Sequence, residues 1–331
     1  MHAFLRQLSL VCLVALATVA APAQQPASEP TEPPASRDDV PDDISLPQAI
    51  VLGVVEGLAE YLPVSSTGHL ILASHSMGLS TRSNASGPLG PTIVKNPAID
   101  AFEVVIQIGA ILAVVGLYRR QVGRMALGAI GRDPVGRHLL ICIILAFLPA
   151  VVFGLAFHDL ITAHLFSPYT VAGALIVGGV LMIIIEHLVW RRRPNVKRVT
   201  KLDRIRLWQA LVIGLAQCLA MWPGTSRSMV TILAGLIVGL NLVTAAEFSF
   251  LLALPTLGGA TVYALLREYG PLMEACGPLT LAVGVIVSGL AAAIAVKAFV
   301  AWLTKRGMLP FGIYRIILGA LVLAYFAGWL N

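Results

Sequence analysis

The chain has 331 residues, 57% of them hydrophobic and only 12% charged, with a mean hydropathy of +0.85. Soluble domains carry about a quarter charged residues, so a water-facing shell is excluded, and a disordered chain needs the opposite balance. This is the composition of an integral membrane protein. The formal net charge of +6 does not point to nucleic acid, because fifteen of the 23 Lys and Arg fall in three short stretches. These are Arg119 to Arg137, Arg191 to Arg206, and Lys305-Arg306. Basic clusters between apolar spans mark cytoplasmic loops.

Residues 1–23 carry Arg6, an apolar run from Leu8 to Ala20, and then Ala21-Pro22-Ala23. That is the order of a cleavable secretory signal; the alternative is an uncleaved anchor, for which the run is short. Residues 24–45 are Pro-rich and hold six of the 17 acids, and read as a linker. The membrane domain then occupies 46–331. Six full spans are predicted at about 98–118, 138–158, 169–190, 243–266, 279–302 and 311–330, each near the ~20 residues needed to cross. Two other apolar stretches, 46–78 and 207–240, are interrupted by Leu62-Pro-Val-Ser-Ser-Thr67 and Trp222-Pro-Gly-Thr-Ser-Arg-Ser228. Irregular backbone at membrane depth needs cover from protein or a watery cavity, so both read as re-entrant helix–loop–helix hairpins. The fold class is therefore all-α and polytopic. With the basic loops in the cytoplasm, the first hairpin dips in from outside, the second from inside, and both termini lie outside. The four cysteines (Cys12, Cys142, Cys218, Cys276) show no metal or redox spacing.

The two hairpins also resemble each other. Gln48 to Glu60 lies against Gln209 to Met221 with six identities in 13 positions at an offset of 161. After a one-residue gap Pro63 falls on Pro223, Ser66 on Ser226 and Thr67 on Arg227. Repeat one is 46–190 and repeat two 207–331. Starting on opposite faces, they form an inverted repeat, and such folds bind ligands near the midplane between broken helices.

The chemistry gathers where the hairpins meet. The second helix of each begins at the tip, so two positive dipole ends with free N–H groups converge, which suits an anion. Gly224 permits close backbone approach, while Ser65, Ser66, Thr67, Thr225, Ser226 and Ser228 offer hydroxyls. Arg227 offers a planar fork matched to phosphate. Glu56 and Glu60, at i and i+4, share a helical face, with His69 shortly beyond. Paired carboxylates, imidazole, hydroxyls and one Arg suit phosphoryl transfer. The carboxylates could hold a divalent cation or move protons, and His69 could be acid, base or nucleophile. Other intramembrane polar residues have milder readings. Lys297 and Arg315 snorkel to the inner boundary, as do Glu186 and His187; Glu103 and Glu247 sit near span starts; His75, His138, His158 and His164 are interfacial.

These residues carry a resemblance. Glu56-Gly-Leu-Ala-Glu-Tyr-Leu-Pro-Val-Ser-Ser-Thr-Gly-His69 and Pro223-Gly-Thr-Ser-Arg-Ser-Met-Val-Thr231 are similar to the two signature motifs of the bacterial undecaprenyl-diphosphatase, or bacitracin-resistance, family. Phe248 to Pro255 and Tyr314 to Gly319 resemble it too. The resemblance implies an inner-membrane phosphatase, its site open to the outer face, that converts undecaprenyl diphosphate to undecaprenyl phosphate. It thereby recycles the lipid carrier of cell-wall synthesis and confers bacitracin resistance. By similarity Glu56, Glu60, Ser66, His69, Ser226, Arg227 and Thr231 are site residues. The expected cofactor is a divalent cation, Mg or Ca, on Glu56 and Glu60. The expected partners are a long-chain polyprenyl diphosphate and the membrane; oligomeric state is open, a homo-oligomer included. Either Ser66 or His69 attacks the terminal phosphorus, and the other handles the proton. Where this family usually has Ser-Gly-x-Thr, the chain has Ser228-Met229-Val230-Thr231. The competing reading is a transporter or flippase of an anionic lipid, which would share the fold but have no use for the acid–base set.

Overall fold

A computed structural model of the chain describes residues 43–87, 90–165, 167–191 and 197–327. The signal at 1–23 and the linker up to residue 42 lie outside the described residues, as do the side chains of His158 and His164. At the linker's end, Ile44 is buried and donates its N–H to the Ala275 carbonyl at 2.8 Å. The last linker residues thus belong to the fold.

The first hairpin is α1 (Leu46–Ala59) and α2 (Ser66–Ser76). A β-hairpin follows, β1 (Ser80–Gly87) antiparallel to β2 (Gly90–Lys95), with Ser80 opposite Lys95. The helical class predicted from the sequence holds around this hairpin. The stretch is rich in Ser, Thr and Gly and lacks a helical apolar period, so nothing favours a helix there. The next helices are α3 (Pro97–Val105), α4 (Gln107–Leu117), α5 (Arg119–Ala129), α6 (Pro134–Leu165) and α7 (Pro168–Ile185). Three of the five open on Pro, where its missing N–H costs no helical hydrogen bond. Between α5 and α6, Arg124 bonds Asp133 at 2.8 Å and holds its carboxyl down to about 2, helped by the Gly136 N–H. The second hairpin is α8 (Leu207–Gln217), extended by a 3₁₀ turn over Cys218–Met221, and α9 (Arg227–Ile237). The chain ends with α10 (Leu242–Arg306) and α11 (Leu309–Phe326).

Among the described residues five helices are long and apolar enough to cross a membrane: 97–117, 134–156, 168–189, 242–306 and 309–326. Six separate spans were expected. The difference lies in α10, whose 65 residues would measure about 98 Å if straight. It leaves helical geometry at Glu268 and at Gly277, where φ is +67°. Thr261 donates to the Val104 carbonyl, while a Cβ on Gly284 would meet Ile106 and Phe102. Residues 23 apart therefore reach the same place on α3, and α10 doubles back. The expected outer loop at 267–278 is a helical corner with Leu272, Ala275 and Cys276 buried.

Close packing is set by small residues. A Cβ on Gly57 would lie 2.2 Å from the Ser288 carbonyl, so only glycine lets α1 approach α10 this closely. Large apolar side chains such as Leu155 (82% exposed) and Leu266 (83%) face outward, as lipid contact requires. Inside, Phe299 meets Phe311 edge to face at 5.1 Å.

The internal repeat is visible in the hydrogen bonds. Gln48 accepts from the Ser45 N–H and donates to the Met77 carbonyl; Gln209 accepts from Arg206 N–H and donates to Val238 O. Among the described residues Ser65 and Ser226 are the non-glycine residues with positive φ, +72° and +71°, and each caps its helix. All these pairs keep the offset of 161. The one-residue gap read from the sequence is thus corrected: Ser226 matches Ser65, and Arg227 matches Ser66.

Candidate active site

The tip of each hairpin is strained where it turns into its second helix. Left-handed backbone on a β-substituted residue costs about 1–3 kcal/mol and persists only where its surroundings impose it. Here the imposing interaction is the cap: Ser65 Oγ accepts from Gly68 N–H and Ser226 Oγ from Met229 N–H, both at 3.4 Å. Capping directs the first turn of α2 and of α9 toward one cavity of about 170 Å³. The N–H groups of a helix's first turn have no partner within the helix, so both ends offer donors there.

Ser66 and Arg227 occupy the first helical position of α2 and α9, and both reach Glu60. Ser66 Oγ donates to Glu60 Oε2 at 2.6 Å, and Arg227 Nη2 to Glu60 Oε1 at 3.0 Å. Glu60 and Arg227 are only 8% and 9% exposed, so this pair is barely screened by solvent. Arg227 Nη1 donates to the Ser249 carbonyl at 2.9 Å, and its guanidinium lies 5.7 Å from the Tyr61 ring centre. Its Nε–H is buried without a partner. A fixed cation lining the cavity suits an anion's oxygen.

Of the residues predicted from sequence, Glu60, Ser65, Ser66, Thr67, Gly224, Ser226 and Arg227 line the cavity. Glu56, His69, Ser228 and Thr231 do not. Glu56, one turn before Glu60 on α1, is fully buried and both its carboxylate oxygens lack a partner. His69 has both ring nitrogens engaged, Nδ1 with the Ser65 carbonyl at 2.7 Å and Nε2 with Tyr314 Oη at 2.6 Å. Ser228 Oγ donates across the hairpins to the Leu62 carbonyl at 2.8 Å. Thr231 Oγ1 donates to the Arg227 carbonyl and contacts Ser249 Oγ at 2.7 Å, bracing the Arg from behind. At Gly224 φ is +88° and a Cβ would lie 2.5 Å from the Val171 carbonyl. The close approach there is to α7.

Two of the milder readings fail. Arg315 does not snorkel: it is 0% exposed and reaches into the hairpin tips. Its Nη2 donates to the carbonyls of Gly224 (2.9 Å), Thr225 (3.1 Å) and Ala174 (3.1 Å), and Nη1 to Pro63 at 3.4 Å. Pro63 and Gly224 are equivalent in the two repeats, so one guanidinium joins both tips. Glu186 does not snorkel either; it is buried and accepts the Met308 N–H at 2.6 Å, at the start of α11. Glu103 accepts from Ser74 Oγ at 2.5 Å, and His138 is 2.7 Å from the Ile205 carbonyl. His187 and Lys297 are exposed. Sequence reasoning missed Gln107, which lines the cavity, and Tyr314, Arg315 and Ser249, which hold its parts. A polar residue inside the apolar run 98–118 was the available signal for Gln107.

A divalent cation was expected on the two glutamates. Among the described residues no group of three or more His, Cys, Asp or Glu side chains could hold a metal ion. Magnesium, however, is commonly held by one or two carboxylates plus phosphate oxygens and water. The bare buried oxygens of Glu56 beside Glu60 fit such a set.

The sequence pattern of the family described as bacitracin resistance protein BacA matches residues 49–321. The chain belongs to this family. Relatives named undecaprenyl-diphosphatase include one from Sorangium cellulosum, 47% identical over 83% of this chain and 84% of the relative. Another, from Aromatoleum aromaticum, is 42% identical over 83% and 93% of the two chains. A protein of Rhodospirillum rubrum named undecaprenyl-diphosphatase 2 is 42% identical over 86% and 96%. The BacA match spans both hairpins and therefore every residue of the cavity named above.

Proposed function

We propose that this BacA-family protein is a membrane phosphatase that hydrolyses undecaprenyl diphosphate to undecaprenyl phosphate and inorganic phosphate. The relatives' names support the substrate. The observation that carries the chemistry is the Ser66 hydroxyl set on Glu60, itself held by Arg227, where two helix N-termini converge. Glu60 takes the proton as Ser66 Oγ attacks the terminal phosphorus. The bond from that phosphorus to the bridging oxygen breaks, and the lipid monophosphate leaves carrying the electron pair. Glu60 passes that proton to the departing monophosphate; water then attacks the phosphoserine and gives a proton to Glu60, which returns it to Ser66 Oγ as inorganic phosphate leaves. Throughout, the Arg227 guanidinium and the helix-end N–H groups meet the charge gathering on the phosphoryl oxygens. Glu56 and Glu60 would hold a Mg or Ca ion, which when bound supplies further neutralisation of the diphosphate. His69, with both nitrogens engaged, acts by fixing the Ser65 turn. Carrying an intact lipid has no use for a hydroxyl aligned on a carboxylate.

In this reading the chain makes six crossings of the bacterial inner membrane and carries two re-entrant hairpins. Hairpin helices of 11 and 14 residues support it, since they reach about 17–21 Å against a ~30 Å hydrocarbon core. The basic loops face the cytoplasm and the cavity opens outward, with residues 1–23 acting as a cleaved signal. Purified protein should release inorganic phosphate from undecaprenyl diphosphate at a rate proportional to enzyme. No release from folded protein would refute the proposal.

A further inference from the structure

We propose that the base of the second hairpin, on the side of the basic loops, binds the phosphate headgroup of an anionic membrane lipid. A cavity of about 720 Å³ lies there, far from the hairpin tips, and it is lined by Lys197, Arg198, Lys201, Arg204 and Arg206 together with Trp208 and Gly239. The cations stand on a fixed frame. Val199 N–H donates to the Gly239 carbonyl at 2.9 Å and Asn241 N–H to the Val199 carbonyl at 3.0 Å, which pins the basic segment to the end of α9. Arg198 is spent on that frame, donating to the carbonyls of Val189 and Leu236. Lys197 and Lys201 have no ion-pair partner among the described residues, and Arg204 has only Asp203 at 4.0 Å.

The fold does not require these charges. The base of the first hairpin keeps the same glutamine bridge and the same positive-φ glycine, Gly78 against Gly239. Yet Asp43 and Ser45 stand there where the second hairpin has Arg204 and Arg206. A second observation gives the shape of the ligand. From the cavity rim an apolar stripe runs along α8 through Leu207, Leu211 and Leu215, which are 37–49% exposed, beside Trp208 at 51%. Spacing of four keeps these leucines on one face. A phosphate among the cations, with acyl chains along the stripe and indole at the boundary, is the arrangement of an anionic lipid.

The test uses the full-length protein in detergent, where membrane orientation has no influence, with lipid retention read by native mass spectrometry. Phosphatidylglycerol should be retained over phosphatidylcholine, and equimolar inorganic phosphate should not displace it. Lys201→Gln with Arg204→Gln should weaken phosphatidylglycerol retention about fivefold per charge, about 25-fold together. The charge-keeping pair Lys201→Arg with Arg204→Lys should retain it at an unchanged melting temperature. Equal retention of the two lipids by the wild-type protein would overturn the proposal, whatever the variants do. So would unaltered binding by the neutralised pair, or displacement by free phosphate.

Discussion

Replacing Arg315 tests whether the site depends on a clamp between the repeats. Its guanidinium gives four hydrogen bonds to carbonyls of Pro63, Ala174, Gly224 and Thr225. The Ala174 bond is to α7, so at about 1 kcal/mol net for each of the other three, Arg315→Met removes about 3 kcal/mol of attachment at the tips. Much of that returns to the global balance, because a buried guanidinium is costly to desolvate and a thioether is not. Stability and activity should therefore separate. The melting temperature should move by a few degrees, roughly a 1 kcal/mol effect in a domain of this size. Turnover should fall about 100-fold, since a shift near 1 Å between catalytic groups costs about that much. Arg315→Lys, a single point charge in place of a fork, should fall between. Gly178→Ala offers an independent route, because its methyl would sit 2.4 Å from Arg315 Nη2 and displace the clamp with the Arg still present. Phosphate release with undecaprenyl diphosphate is the assay. If folded Arg315→Met turns over within about threefold of the parent, tip attachment does not control the chemistry.

Substitutions at four further residues address the proposed reacting groups. Ser66→Ala should lower turnover about 1,000-fold or more while substrate still binds, and near-normal turnover would remove Ser66 as nucleophile. Arg227→Lys should cost at least about tenfold, and Arg227→Ala nearly all activity, because a point charge cannot serve Glu60, Ser249 and phosphate together. Glu60→Gln should abolish proton transfer at any cation concentration, whereas Glu56→Gln should raise the cation concentration needed for half-maximal rate. Identical cation dependence in Glu56→Gln and parent would take the ion away from Glu56.

The apolar runs were legible because membrane crossing needs about 20 such residues in a row. The repeat was legible from Gln48 and Gln209, whose side chains tie equivalent hairpin bases. Glu60, Ser66 and Arg227 were legible because ionisable and hydroxyl groups crowd two interrupted segments. What escaped depended on distances between segments. Arg315 lies a few residues from a span end, and sequence position alone cannot tell a side chain that reaches water from one that reaches inward to Gly224, 91 positions away. His69 was weighed as a reacting group because imidazole is versatile; its commitment to Ser65 and Tyr314 is a tertiary fact. The gap placed between the repeats failed for a local reason. Pro63 and Pro223 look equivalent, but the positive-φ serines set the register, and a backbone angle leaves no mark in residue identity.

That register explains how a symmetric scaffold carries asymmetric chemistry. Duplication alone would yield two capped helix ends facing one cavity, a place for an anion with no means of cleaving it. The departures from symmetry sit at equivalent positions. Ser66 faces Arg227 across the pseudo-axis, a hydroxyl in one repeat and a cation in the other. Glu60 corresponds to Met221, and Glu56 to Gln217, a neutral analogue that is likewise buried with its polar atoms unpartnered. One hairpin therefore brings the carboxylate and the hydroxyl, and the other brings the positive charge. Neither could react alone, because Glu60 without Arg227 would be an uncompensated charge in a largely buried position, and Arg227 without Glu60 would lack the contact that aims it. Folding the hairpins together is the event that pairs them, and Arg315, bonded to Pro63 and to its equivalent Gly224, spans both tips.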